Sequence, residues 1–304
     1  MTDKSVRING HDIEVSSLDK VLFPDDGITK ADLIDYYLRI AKVALTYYRD
    51  RPLSMHRYPD GIDTKGFFQK NAPDYFPDWI DRVRLSKEGG EVDYVLANNT
   101  ATLVYLSNQA CITPHLALAR ADRPHHPDRL IFDLDPSDED FSKVQKAASQ
   151  LKGLLDKLQL PVFVQTTGSR GLHLVVPLDR REDFDTVREF SDRLARYVAD
   201  HDPELMTIKK TKNQRGDRVY LDVQRNAYGQ TAVAPYAVRA RPGAPVATPL
   251  RWSEAQAGDL GPRQYHVGNL FQRLGQIDDP WADIAQHACS LKNARKRFDA
   301  MKTN

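Results

Sequence analysis

The chain has 304 residues, 41% of them hydrophobic and 28% charged, with a formal net charge of +1. That length can bury a sizeable core in one large domain or two small ones. The near-neutral balance excludes any case for nucleic-acid binding from bulk charge, so such a claim rests on local clusters; no stretch approaches the roughly 20 apolar residues of a membrane span.

In chain order, residues 5–16 alternate weakly and suggest a short strand. Thr29, with Asp32 three residues on, caps a predicted helix through Tyr48 whose apolar face is Leu33, Ile34, Tyr37, Ile40, Ala41, Ala44, Leu45 and Tyr48. RPLSMHRYP and EVDYVLANN read as strands, and TATLVYLSNQACI reads as a buried helix. RLIFDLDP is a strand stopped by Pro136. EDFSKVQKAASQLKGLLDKL has helical spacing, with acid at its start and lysine near its end. PVFVQTTG and LHLVVPL are strands separated by SRG, EDFDTVREFSDRLARYVADH is another helix and RVYLDV another strand. YAVRARPGAPVATPLRW is proline-rich and extended, and SLKNARKRFDAMK ends the chain as a basic helix. The mixture predicts an α/β or α+β fold with no repeat and no linker.

Asp133 and Asp135 of RLIFDLDP share one face of a strand, because side chains alternate, while Phe132 and Leu134 point to the core. Two ionised carboxylates so close repel unless a cation sits between them. Alone, the pair reads more readily as a solvent-facing edge strand that happens to carry two acids than as a metal site. Asp222 ends a second apolar strand in RVYLDVQRN. Three strand-borne carboxylates are a common way to hold two divalent ions about 3.5–4 Å apart for phosphoryl transfer. Mg²⁺ and Mn²⁺ suit oxygen ligands and accept phosphates as further ligands. In TTGSRGLHLVV, Gly168 and Gly171 bracket a small cationic turn that lets a phosphate approach, with Ser169, Arg170 and His173 as donors. A tight hairpin with a satisfied histidine is the plain alternative. Neither a Walker loop nor a Rossmann fingerprint is present.

IFDLDP, TTGSRGLHLVVPL, RVYLDVQRN and TAVAPYAVRARPGAPVATPL, in that order, resemble the polymerase domain of the bacterial and archaeal end-joining protein ligase D. That domain belongs to the archaeo-eukaryotic primase superfamily. The likeness runs from LDKVLFPDDGITKADLIDYY to PLRW. It implies a single primase-polymerase domain over 1–304, with mixed and antiparallel sheets and flanking helices. An N-terminal lobe of about 1–110 would pack on a catalytic core of about 111–250, followed by a helical segment at 251–304. The implied activity is template-directed nucleotidyl transfer with two Mn²⁺ or Mg²⁺ ions, filling gaps at double-strand breaks in non-homologous end joining. Ribonucleotides are the expected preference.

Carried across, Asp133, Asp135 and Asp222 are the metal ligands. Thr167, Ser169, Arg170, His173, His115, Arg239 and Arg241 hold the incoming nucleotide. Phe67 and Phe68 stack on bases, Lys20 and Lys30 hold the 5′-phosphate of the downstream strand, and Arg215 lies in a loop near the primer terminus. Thr167 stands where a serine is common near the sugar, and Arg170 replaces a frequent lysine. Expected partners are DNA with gaps, recessed or broken ends, NTP or dNTP, a Ku-like protein and a DNA ligase, with no membrane. Cys111 and Cys289 make no disulfide framework and no zinc spacing, and MTDKSVRINGHDIEV lacks a signal-peptide core, so the expected location is the cytoplasm, with the nucleoid. No lysine-bearing ligase motif follows residue 250, so either an excised domain or a stand-alone polymerase is expected. The alternatives are a primase-polymerase for replication or damage tolerance, a non-catalytic end-bridging module, and a metal-dependent nuclease.

Overall fold

The computed structural model describes residues 4–87 and 89–303, which form two compact units. The first unit comprises Met1–Asp122, Thr231–Ala247 and Tyr265–Arg273; the second comprises Arg123–Gln230, Thr248–Gln264 and Leu274–Asn304. Among the described residues no helix is long and apolar enough to cross a membrane.

The first unit opens with a hairpin, β1 (Lys4–Ile8) and β2 (His11–Val15), where the sequence suggests one strand. Asn9 and Gly10, at φ 51° and 84°, reverse the chain, and Asn-Gly is the dipeptide that tolerates such angles best. β3 (Val21–Phe23) pairs with β4 (Ile28–Thr29). α1 (Lys30–Tyr48) follows, and Thr29 and Asp32 form the expected capping box. Its buried face includes Tyr36 and Tyr47, while Ile34 and Leu45 are only half-buried. Two of its buried tyrosines donate their hydroxyls to backbone carbonyls: Tyr36 to Tyr236 O at 2.8 Å and Tyr37 to Ile112 O at 2.7 Å.

A sheet of β5 (Pro52–Arg57), β6 (Phe67–Gln69), β7 (Arg82–Lys87), β8 (Gly90–Leu96), β9 (Cys111–Ala117) and β15 (Thr231–Val233) completes this unit, all antiparallel. Its order is β15-β9-β5-β8-β7, with β6 on β5. α2 (Thr100–Asn108) is buried along nearly its whole length, as its apolar run requires. The helical pattern continues to Ile112, but Ala110 at φ 56° turns the chain into β9. An alanine there gives no warning, since that conformation normally announces itself with glycine or asparagine.

The second unit carries a mixed sheet in the order β13-β14-β10-β12-β11-β16. Its strands are β10 (Arg129–Pro136), β11 (Phe163–Thr166), β12 (Leu172–Pro177), β13 (Met206–Thr207), β14 (Val219–Asp222) and β16 (Pro249–Leu250). Only the β13–β14 pairing is parallel. α3 (Phe141–Lys157) and α4 (Phe184–His201) pack on β10. The basic helix Lys292–Thr303 sets Phe298 against Phe190 and Tyr197, and Arg295 faces Glu189 at 3.9 Å, so this helix packs within the unit.

β14 covers β10 only from Asp133 to Pro136, which leaves Ile131 without a strand neighbour on that side. The side chain of Asn226 takes the strand's place. Its Oδ1 accepts from Ile131 N at 2.8 Å and its Nδ2 donates to Ile131 O at 2.8 Å. Asn226 is fully buried, so nothing else is present to meet those groups. Replacing it with Ala strands a buried donor and a buried acceptor. The expected cost of Asn226→Ala is about 2–3 kcal/mol, read as a lower denaturation midpoint at unchanged m-value.

Candidate functional site

β10 is paired on both flanks. Asp133 stands directly opposite His173 of β12 and directly opposite Asp222 of β14. Opposed residues project from one face, and Asp135 shares it two residues on. Three carboxylates and one imidazole thus meet on three adjacent strands, as the sequence pattern anticipates for the acids. Phe132 and Leu134, on the other face, are fully buried. Asp133 is 6% exposed and Asp222 8%. Burial, then the neighbouring charge of Asp133, pushes the Asp135 carboxyl up to about 6.

His173 is 3% exposed and lies between two partners. Nε2 is 3.3 Å from Asp133 Oδ1, and Nδ1 is 3.3 Å from Gln165 Nε2. The ring thus lies between the Gln165 amide on its Nδ1 side and the Asp133 carboxylate on its Nε2 side. The sequence reading sends His173 toward a nucleotide phosphate; the structure buries the ring beside the Asp133 carboxylate. The other carboxylate oxygen, Oδ2, is 3.8 Å from Arg225 Nε. Gln165 and Arg225 escaped the sequence reading. The clue for Arg225 was its place three residues after the strand-ending Asp222.

The turn between β11 and β12 holds Ser169, half-buried, and Arg170, exposed. They line a cleft of about 410 Å³ with Asp138, Glu139 and Arg263, whose Nε donates to Ser169 O at 2.9 Å. Thr167 is buried and its Oγ1 closes the turn, accepting from Ser169 N at 3.3 Å and Gly171 N at 3.2 Å. The two glycines have different causes. Gly168, at φ 62°, supplies left-handed backbone. Gly171 lies against β10, where a Cβ would sit 2.0 Å from Leu134 O, so it serves packing rather than phosphate approach. Arg215 donates to Lys210 O at 2.8 Å and lies 3.8 Å over the ring of Tyr220, the residue opposite Asp135.

The first unit gathers a second set. Phe68 is exposed and stacks on His56, ring centroids 4.0 Å apart at 11°, with the His115 ring edge-on at 5.1 Å. Burial, then the charge of Arg239, lowers the His56 imidazole to about 4, so this ring is neutral at pH 7. Arg239 and Arg241 both act on Tyr58, beside His56. Phe67 is exposed on the same strand and faces the Arg57 guanidinium at 5.7 Å. His56 and Tyr58 were missed by the sequence reading, although their alternation on one strand face was visible.

Lys20 and Lys30 converge through their backbones, Lys30 N donating to Lys20 O at 2.8 Å. Their ammonium groups differ: Lys20 Nζ pairs with Asp60 at 2.7 Å, and Lys30 is buried. The amides of Lys30 and Ala31 are bonded to Lys20 O and Leu18 O, so the helix start has no amide to spare there for an anion.

Among the described residues no group of three or more acidic, histidine or cysteine side chains is arranged, as the side chains stand, to hold a metal ion. The acids of β10 and β14 nonetheless fit a hard divalent cation. Their donors are all oxygen, burial and the charge of Asp133 push the Asp135 carboxyl up, and Mg²⁺ or Mn²⁺ bound by a few carboxylates completes its shell with water and substrate phosphate.

The model of the LigD primase-polymerase domain matches residues 29–281. The chain is 32% identical over 297 residues to the multifunctional non-homologous end joining protein LigD of Mycolicibacterium smegmatis, covering 96% of this chain and 39% of that protein. It is 31% identical over 274 residues to the bifunctional LigD of Bacillus subtilis, covering 90% of this chain and 44% of that one. It therefore spans less than half the length of these relatives. The solved polymerase domain of Mycobacterium tuberculosis ligase D in complex with DNA superposes with a TM-score of 0.84 at 29% identity, covering 91% of this chain and 99% of that domain. With four motifs in order, the carboxylate face they build and the match over most of its length, the chain belongs to the LigD primase-polymerase domain family.

Proposed function

We propose that the protein is a template-directed nucleotidyltransferase that fills gaps at broken DNA ends in non-homologous end joining. The observation that carries this reading is the alignment of Asp133, Asp135 and Asp222 on one sheet face in a chain of this family. Two divalent ions, manganese or magnesium, held by these acids would stabilise charge on both the attacking and the leaving oxygens. The protein's own groups do the rest. His173 holds Asp133 in one orientation. Ser169 and Arg170 offer donors to the triphosphate, and charge-assisted contacts to phosphate are the stronger kind. For His115, Arg239 and Arg241 we propose nucleotide contacts, and for Arg215 a contact near the primer terminus, on the family likeness.

Phe67 and Phe68 present exposed rings for base stacking, worth about 1–3 kcal/mol per base and tolerant of any sequence. Ribonucleotide preference rests on the family, because the Thr167 hydroxyl is already engaged in its turn. A Ku-like protein for recruitment and a ligase activity for sealing complete the proposed setting.

The decisive assay extends a primer across a gapped duplex with Mn²⁺ or Mg²⁺, the two nucleotide types in competition. Asp133→Ala, Asp135→Ala and Asp222→Ala are each expected to lower extension by at least about 10³-fold while gapped DNA still binds, because a lost ligand removes charge stabilisation made only in the transition state. Normal extension by the Asp222 variant would remove that residue from the site.

A 5′-phosphate at the gap separates end joining from priming, which has no use for it. Lys20 would exchange Asp60 for the phosphate, a better partner because a terminal phosphate carries more charge. Wild type is expected to bind the phosphorylated gap more tightly than the hydroxyl one at a fixed salt concentration, and Lys20→Ala/Lys30→Ala to lose that preference. Equal binding of both gaps by wild type would favour the primase reading.

A further inference from the structure

We infer that Arg225 is a stand-in cation for the carboxylate face: it neutralises Asp133 while no metal is bound and turns to the anionic polyphosphate when metal is present. The inference rests on the reading of Asp133, Asp135 and Asp222 as a divalent-cation site. Three observations carry it. First, the Arg225 Nε lies 3.8 Å from Asp133 Oδ2, a long contact that a competing cation would displace at small cost. Second, the two ends of this pair differ, since the arginine side chain is 40% exposed and the aspartate 9%. The acid is fixed and partly desolvated, and the guanidinium is free to swing on its stem.

Third, the backbone that presents Arg225 is anchored on both sides. Asp222 Oδ1 accepts from Gln224 N at 2.8 Å, and Asn226 is bonded to both backbone groups of Ile131. The anchor at Ile131 lies two residues from Asp133, so the arginine leaves its turn at a set place beside that acid. The other oxygen of Asp133 faces the His173 ring, with Nε2 3.3 Å away. Arg225 is thus a permanent positive charge beside Asp133. Guanidinium suits both jobs, because it is always charged and its fork matches carboxylate and phosphate alike.

A cation placed there repels an incoming metal ion, and removing it should have two opposite effects. Mn²⁺ titrated into the full chain without nucleotide, followed by calorimetry, is expected to bind Arg225→Gln on the order of tenfold more tightly than wild type. Arg225→Lys, which keeps the charge, should bind Mn²⁺ as wild type does. A nucleoside triphosphate titrated in the presence of saturating Mn²⁺ should bind Arg225→Gln more weakly. A merely structural ion pair predicts lower thermal stability for Arg225→Gln with no gain in Mn²⁺ affinity.

Asp133→Asn separates the two ways of failing. If that variant loses Mn²⁺ binding while Arg225→Gln binds no more tightly than wild type, the stand-in role is overturned and the metal reading stands. If Mn²⁺ affinity is indifferent to Asp133, both are overturned. If Mn²⁺ tightens but triphosphate binding is unchanged, the turn toward polyphosphate is overturned.

Discussion

Antiparallel pairing on both flanks of β10 is the constraint on which the carboxylate face depends. A slip of one residue against either neighbour would send Asp133 and Asp135 into the core and Phe132 and Leu134 to the outside. The register is held close to the acids themselves. Asn226 binds Ile131 where β14 runs out, and Gly171 lies against Leu134 between the two aspartates. Neither contact touches a reacting group, yet each determines where a carboxylate points.

Once the acids are aligned, their charges become the cost of the arrangement. Asp135 shows it directly, its carboxyl pushed up to about 6 by burial and by Asp133. Asp133 is better provided, with His173 on one oxygen and Arg225 on the other. Gln165 stands behind the histidine, its amide nitrogen 3.3 Å from Nδ1. An apolar strand face packed against helices and a polar face of unequal charges are two sides of the same eight residues, Arg129–Pro136.

The first unit solves a different problem. The base stacking proposed for Phe67 and Phe68 would need exposed, uncharged rings that do not collapse onto the protein. Phe68 is kept exposed on a three-residue strand and backed by His56, which burial and Arg239 keep neutral. A positive ring there would seek anions instead of serving as an apolar backing. The lysines at the mouth of the β3–β4 loop follow another logic: backbone hydrogen bonding joins the loop's ends, and Asp60 holds the Lys20 charge.

Local sequence was enough for the elements whose cause is local. The capped helix α1, the strand Arg129–Pro136 and helices α3 and α4 follow from period, caps and the proline stop. The shared face of Asp133 and Asp135 was also legible, since alternation along a strand dictates it; the place of Asp222 opposite Asp133 was not. The short strands β6, β13 and β15, the end of α2 at Ala110 and the division into two units were not, because each depends on partners distant in the chain. The same holds for the burial of His173 beside Asp133, the approach of Gly171 to Leu134, and the placing of Arg225 by Asn226. Alternation along a strand fixes direction, but only the pairing of strands far apart in sequence decides what stands opposite. Residue types and order therefore determined which groups the site contains, and tertiary register decided which of them touch.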